Sequence, residues 1–135
     1  QGTQGITGIQ GRQGATSDIR LKKNIRSYEG GTQVVQGINP VIFQYNGLGG
    51  TDDCGKDNIG LVANYLENVI PQAIFRLKGK LNPSDIEDTD ILHYDLTPVV
   101  MSLINAVNEH TKTISEHAEK INAVLKVLKK NNLIQ

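Results

Sequence analysis

The chain has 135 residues, with 14 basic and 14 acidic side chains, zero formal net charge, 38% hydrophobic residues, no tryptophan and one cysteine. Balanced charge with no basic face argues against nucleic acid as a partner. Cys54, being alone, makes no internal disulfide and no metal-ligand spacing, and no apolar run approaches the length of a membrane span.

Glycine recurs without a slip at Gly2, Gly5, Gly8, Gly11 and Gly14. Only glycine fits the crowded axis of three wound polyproline II strands, so residues 1–16 read as a collagen-like triplet repeat. No proline presets its dihedral angles, so a partner segment has to hold so few triplets in register. The competing reading is a flexible glycine-rich linker, which has no reason to keep count.

At Thr16-Ser17-Asp18-Ile19-Arg20-Leu21-Lys22 the repeat gives way to ordinary globular sequence. A serine hydroxyl becomes a nucleophile only beside a base, and a lysine serves as that base only when neutral. Ser17 and Lys22 are five apart, which separates them widely around a helix and places them on opposite faces of a strand. Contact therefore requires a bend between them or a residue from a neighbouring chain. The alternative is Ser17 as a helix N-cap followed by a solvated basic turn.

Ile19 and Leu21 alternate with charge and suggest a brief strand or turn. Gly30-Gly31 breaks the chain, Val34–Ile38 reads as the end of a short helix capped by Gly37, and Pro40–Tyr45 as a strand. Asn46–Asp53 is a long loop without the spacing of a phosphate cradle or a calcium site. Ile59–Ala63 reads as a strand, Asn64–Val69 as a helical turn or two, Gln72–Leu77 as a strand, and Asn82–Asp90 as a solvated acidic loop. His93 is expected to be structural.

The C-terminal segment 99–135 carries a heptad seam. Val100, Ile104, Val107, Thr111, Ile114, Ala118, Ile121, Leu125 and Leu128 alternate steps of four and three. A single copy would leave this stripe in water unless the helix lay along its own domain, which is the competing reading. His110 and His117 flank the seam and are assigned no metal. The repeat needs three chains and the seam accepts three, so a homotrimer is expected.

Ser17-Asp18 followed by Lys22-Lys23-Asn24-Ile25 resembles the opening signature of the C-terminal intramolecular chaperone domains of endosialidase tailspikes and other phage tail fibres, which are related to the self-cleaving region of myelin regulatory factor. Gln36–Tyr45, Ile59–Asn64 with Val69-Ile70-Pro71, and Leu92–Pro98 are similar to three later blocks of that family, in the same order. The resemblance implies Ser17 as nucleophile, Lys22 as base, Asp18 in a supporting role, and a cut between Thr16 and Ser17. Asn64 and Tyr65 depart from the family's glutamine and acidic residue, which bears on binding of the developing oxyanion.

The expected fold is α+β, a small mixed domain (residues 17–98) of short strands and helices. A collagen-like segment precedes it, and a long helix forming a trimeric coiled coil follows. The resemblance further implies a module that trimerises and registers the upstream fibre portion of the same chain and then releases itself. It would act in a virion fibre or spike assembled in host cytoplasm, with no cofactor, nucleic acid or membrane. The alternative is a non-cleaving trimeric tip or receptor-binding head.

Overall fold

A computed structural model of the chain describes residues 16–135; the collagen-like repeat expected over residues 1–16 lies, but for Thr16, outside the described residues. In chain order the elements are a 3-10 turn at Ile19–Leu21, α1 (Thr32–Gln36), β1 (Val41–Phe43), β2 (Asn58–Gly60), α2 (Ala63–Leu66), β3 (Ile74–Gly79), β4 (Thr89–Tyr94) and α3 (Leu96–Lys130). Further 3-10 turns lie at Leu48–Gly50 and Pro71–Ala73. The fold is α+β, as the sequence implied, and among the described residues the sheet content is two separate antiparallel ribbons.

β1 pairs with β2 through Ile42 opposite Ile59, and β3 pairs with β4 along six residues from Ile74 opposite Tyr94 to Gly79 opposite Thr89. The Pro40–Tyr45 and Ile59–Ala63 strands are thus shorter than expected. The β3 strand starts two residues later than expected. β4 occupies the end of what reads as acidic loop, because pairing with β3 extends residues whose own pattern carries no alternation. Its His93 stacks on Phe75, with ring centroids 5.4 Å apart, a structural placement.

The core is small. Leu66, Ile70 and Ala73 are buried beneath Val34, Ile38, Leu61, Ile74, Tyr94 and Val99. Gly37 ends α1 at φ −85°, so it is not needed there for a left-handed cap. It is needed for space, because a Cβ at this position would lie 3.0 Å from the Val69 side chain.

The α3 helix begins at Leu96, where the Asp95 carboxylate accepts from Thr97 N at 3.0 Å and fills the N-cap role. Its 35 residues make a rod about 50 Å long at 1.5 Å per residue. Only the first part of the rod rests on the domain, through Val99, the fully buried Ser102 and Ala106. At 3.6 residues per turn this face lies roughly 130° from the seam of Val100, Ile104 and Val107. The seam is therefore a different surface from the one facing the chain's own domain. Ile114 and Ile121 on it are 67% and 59% exposed. No helix among the described residues is long and apolar enough to cross a membrane.

Candidate functional site

The 3-10 turn supplies the bend that the Ser17 and Lys22 spacing demands. Backbone N–H groups of Leu21 and Lys22 donate to the carbonyls of Asp18 and Ile19 at 3.0 and 3.1 Å, folding the chain back over one tight turn. The turn brings Lys22 Nζ to 2.9 Å from Ser17 Oγ within one chain. Both side chains face solvent. At this distance the ammonium form donates to the hydroxyl, whereas the neutral amine is placed to accept the hydroxyl proton.

Asp18, not Ser17, caps the turn. Its Oδ1 accepts from Arg20 N at 2.9 Å, while the Arg20 guanidinium reaches both carboxylate oxygens, at 3.1 and 2.8 Å. One carboxylate therefore satisfies the turn's free N–H and clamps the residue two positions on. The Arg20 side chain, then its backbone N–H, hold the Asp18 carboxyl below its ordinary value of 3.8. Arg20 is raised in turn by the same carboxylate. Asp18 thus belongs to the scaffold of the pair and makes no hydrogen bond to Ser17 or Lys22.

Downstream, Asn24 adopts a left-handed φ of 55°, a conformation asparagine tolerates better than most residues. Residues 28–32 then run as a strap along α3. Tyr28 Oη lies 2.9 Å from Ser102 Oγ, and Asn105 Nδ2 donates to the carbonyls of Tyr28 and Gly30 at 2.8 and 2.6 Å. Glu109 Oε2 accepts from Thr32 N at 2.9 Å. The Thr32 side chain, then this backbone N–H, hold the Glu109 carboxyl below its ordinary value of 4.5. Gly31 is buried at the crossing, where a Cβ would collide with the Glu109 carboxylate. The strap links the segment carrying Ser17 and Lys22 to the helix carrying the seam.

Arg20 and the strap residues Tyr28, Asn105 and Glu109 are not legible as site residues in the sequence. The Asp18-to-Arg20 spacing is a local signal for the first. The strap contacts join positions 74 to 77 apart and leave no local trace. Asn64 is exposed on α2, and among the described residues no cluster of three or more metal-ligating side chains forms.

A second feature lies between the ribbons. An open groove of about 910 Å3 is lined by Phe43, Tyr45, Leu48, Leu77, Leu81 and Ile91, among others. None of residues 17–26 lines it. Phe43 and Tyr45 meet edge to face at its wall, with centroids 5.1 Å apart.

In comparison with known proteins, residues 17–75 match the peptidase S74 family, described as chaperone of endosialidase. The matched stretch begins at Ser17 and ends at the second residue of β3, so it contains the Ser17 and Lys22 pair, the strap and the first ribbon. No curated protein matches the chain.

Proposed function

Taking residues 17–75 as an endosialidase-chaperone domain, we propose that the chain is an intramolecular chaperone that assembles as a trimer, registers the segment upstream of Thr16, and then cuts itself between Thr16 and Ser17. The observation that carries this reading is the 2.9 Å approach of Lys22 Nζ to Ser17 Oγ at the first residues of the matched stretch. The exposed seam supports the trimer, since four heptads of apolar side chains facing water favour association with identical helices. A trimeric clamp raises the local concentration of the upstream strands and shortens the search among distant contacts that slows intertwined folding.

In the reaction neutral Lys22 takes the proton from Ser17 Oγ, and the oxygen attacks the Thr16 carbonyl carbon. The tetrahedral adduct collapses as the Ser17 nitrogen leaves and receives the proton from the Lys22 ammonium. An ester then joins the Thr16 acyl group to Ser17 Oγ, beside a free Ser17 amine. Water hydrolyses that ester, releasing a Thr16 carboxylate and a chain that starts at Ser17. Because the attacked carbonyl adjoins the serine in the chain, no separate substrate pocket is required, and each chain reacts once.

Mass spectrometry of freshly folded protein tests the proposal. The wild type is expected to give a fragment beginning at Ser17, and Ser17→Ala and Lys22→Ala are expected to remain full length. Equal cleavage in either variant removes the mechanism, and an intact wild type favours a non-cleaving tip.

A further inference from the structure

We propose that the groove between the two ribbons receives residues 19–26 of a second copy of this chain, and that this seating takes the Ser17 and Lys22 pair out of water. The inference rests on the trimeric, self-cleaving reading above and adds the surface through which one copy acts on another.

Residues 19–26 are an apolar stripe with nothing over it. Ile19 and Leu21 are 73% and 72% exposed, and Ile25 is exposed beside them. Interleaved with these are Arg20, Lys22, Lys23 and Arg26. Their own copy leaves them uncovered, because the hydrogen bonds of residues 17–22 stay within that segment and the strap holds the following residues against α3. Lys23 and Arg26 have no ion-pair partner among the described residues.

The groove has the opposite character at its rim and the same character at its floor. Its floor is apolar, with Phe43, Leu77, Leu81 and Ile91. The loops that leave its lining residues are acidic. Asp52, Asp53 and Asp57 lie between Thr51 and Asn58, against one lysine, Lys56; Asp85, Glu87, Asp88 and Asp90 follow Leu81, against Lys80 and Lys78, the latter lining the groove and paired with Asp90 at 2.7 Å. A basic segment with an exposed apolar edge fits an acidic-rimmed apolar trough, and like charge at the rim steers acidic segments away. Two-stranded ribbons are also marginal until something packs on them.

The fit explains how an exposed lysine becomes a base. Lys22 stands in solvent in a single copy; with the rim carboxylates taken up by Lys23 and Arg26, Lys22 sits over the apolar floor, and removal from water favours the uncharged amine over the ammonium. Seating the stripe in a neighbour's groove carries Lys22 with it, so the pair, already in contact within one chain, is activated only after assembly.

The first experiment reads position directly. In a Cys54→Ser, Ser17→Ala background, chains carrying only Leu21→Cys are folded together with chains carrying only Leu77→Cys and treated with a short bismaleimide. A mixed cross-linked band on a denaturing gel is the expected result. Its absence, or joining of Leu77→Cys to Gln10→Cys instead, overturns the proposal, the latter by placing upstream residues in the groove. The second experiment reads consequence. Leu77→Glu is expected to slow cleavage at least tenfold in an assembly that still sediments as a trimer, and co-assembly with Ser17→Ala chains is expected to restore cutting of the Leu77→Glu chain. Unimpaired cleavage by Leu77→Glu, or no restoration in a mixed trimer, overturns it. If Leu77→Glu fails to fold, the cross-link decides. A cross-link in this background beside a wild type that never cuts sinks the self-cleaving reading and leaves the docking intact, whereas a wild type that cuts with no cross-link in this background sinks the docking alone.

Discussion

Tyr28 Oη and Ser102 Oγ meet at 2.9 Å, and the polarity of that bond is fixed by a third group. Ser102 Oγ donates to the Pro98 carbonyl at 2.8 Å, so the Tyr28 phenol is the donor and the serine accepts. A fully buried hydroxyl on α3 is satisfied both ways. The residues leading from the Ser17 and Lys22 pair are thereby fastened to the helix.

Loss of this fastening is expected to scale with the number of groups left unpaired. Tyr28→Phe removes one donor, and Ser102 keeps its bond to Pro98, so unfolding by urea should show a loss of about 0.5–1.5 kcal/mol. Asn105→Ala strips the donor from two carbonyls at once, those of Tyr28 and Gly30. A loss of about 1–3 kcal/mol is expected. Equal losses for the two variants would contradict that scaling, and no loss in either would show that the strap carries little of the stability.

The turn beneath the pair makes a graded prediction for the cut. Asp18→Ala removes both the cap and the ion pair, so it should deplete the bent form and slow the cut the most. Arg20→Ala removes only an exposed ion pair, which solvent screens, and should slow the cut less. Asp18→Asn keeps an acceptor for Arg20 N and should fall nearest the wild type. Single-turnover cleavage rates give the order directly, and an Arg20→Ala chain slower than Asp18→Ala would contradict it.

Glu109 predicts an acid-side loss of stability. Its carboxyl is held low by the Thr32 side chain, then by the Thr32 backbone N–H. Among the direct contacts, it is the Thr32 backbone N–H that the carboxylate accepts. The folded value lies below the unfolded one, so the contribution is complete above about pH 4.5 and is lost as the pH falls through the lower, folded value. Urea midpoints measured downward from pH 6 should decline more steeply for the wild type than for Glu109→Gln. Parallel declines would remove Glu109 as a source of the acid sensitivity.

The seam predicts association without damage to the domain. Ile114→Asp with Ile121→Asp puts two charges on the outer stripe and leaves Ser102 and Ala106 in place. Sedimentation should then report a monomer, and the Thr16 to Ser17 cut should be lost with the trimer. Circular dichroism should also fall, since a helix unsupported beyond its first turns is marginal in water. A trimer that survives both substitutions would place the contact between copies elsewhere.

What the sequence carried and what it hid divide by range. The seam was legible because its period is local, with Val107, Ile114 and Ile121 repeating within one element. Ser17 and Lys22 were legible as residue types but not as neighbours, because a three-residue 3-10 turn is too short to leave a pattern and owes its stability to Asp18 and Arg20. Strand β4 escaped notice since Thr89–Tyr94 shows no alternation and becomes extended only opposite Ile74–Gly79. The strap and the groove were invisible for a related reason, as each is made by residues far apart in the chain.

The small side chains of Ser102 and Ala106 face inward and the branched ones of Ile114 and Ile121 face outward on a single rod. What the rod holds and what it offers are therefore written in separate letters. The outer text can be rewritten, to another stoichiometry or another companion, while the inner text continues to grip the same strap.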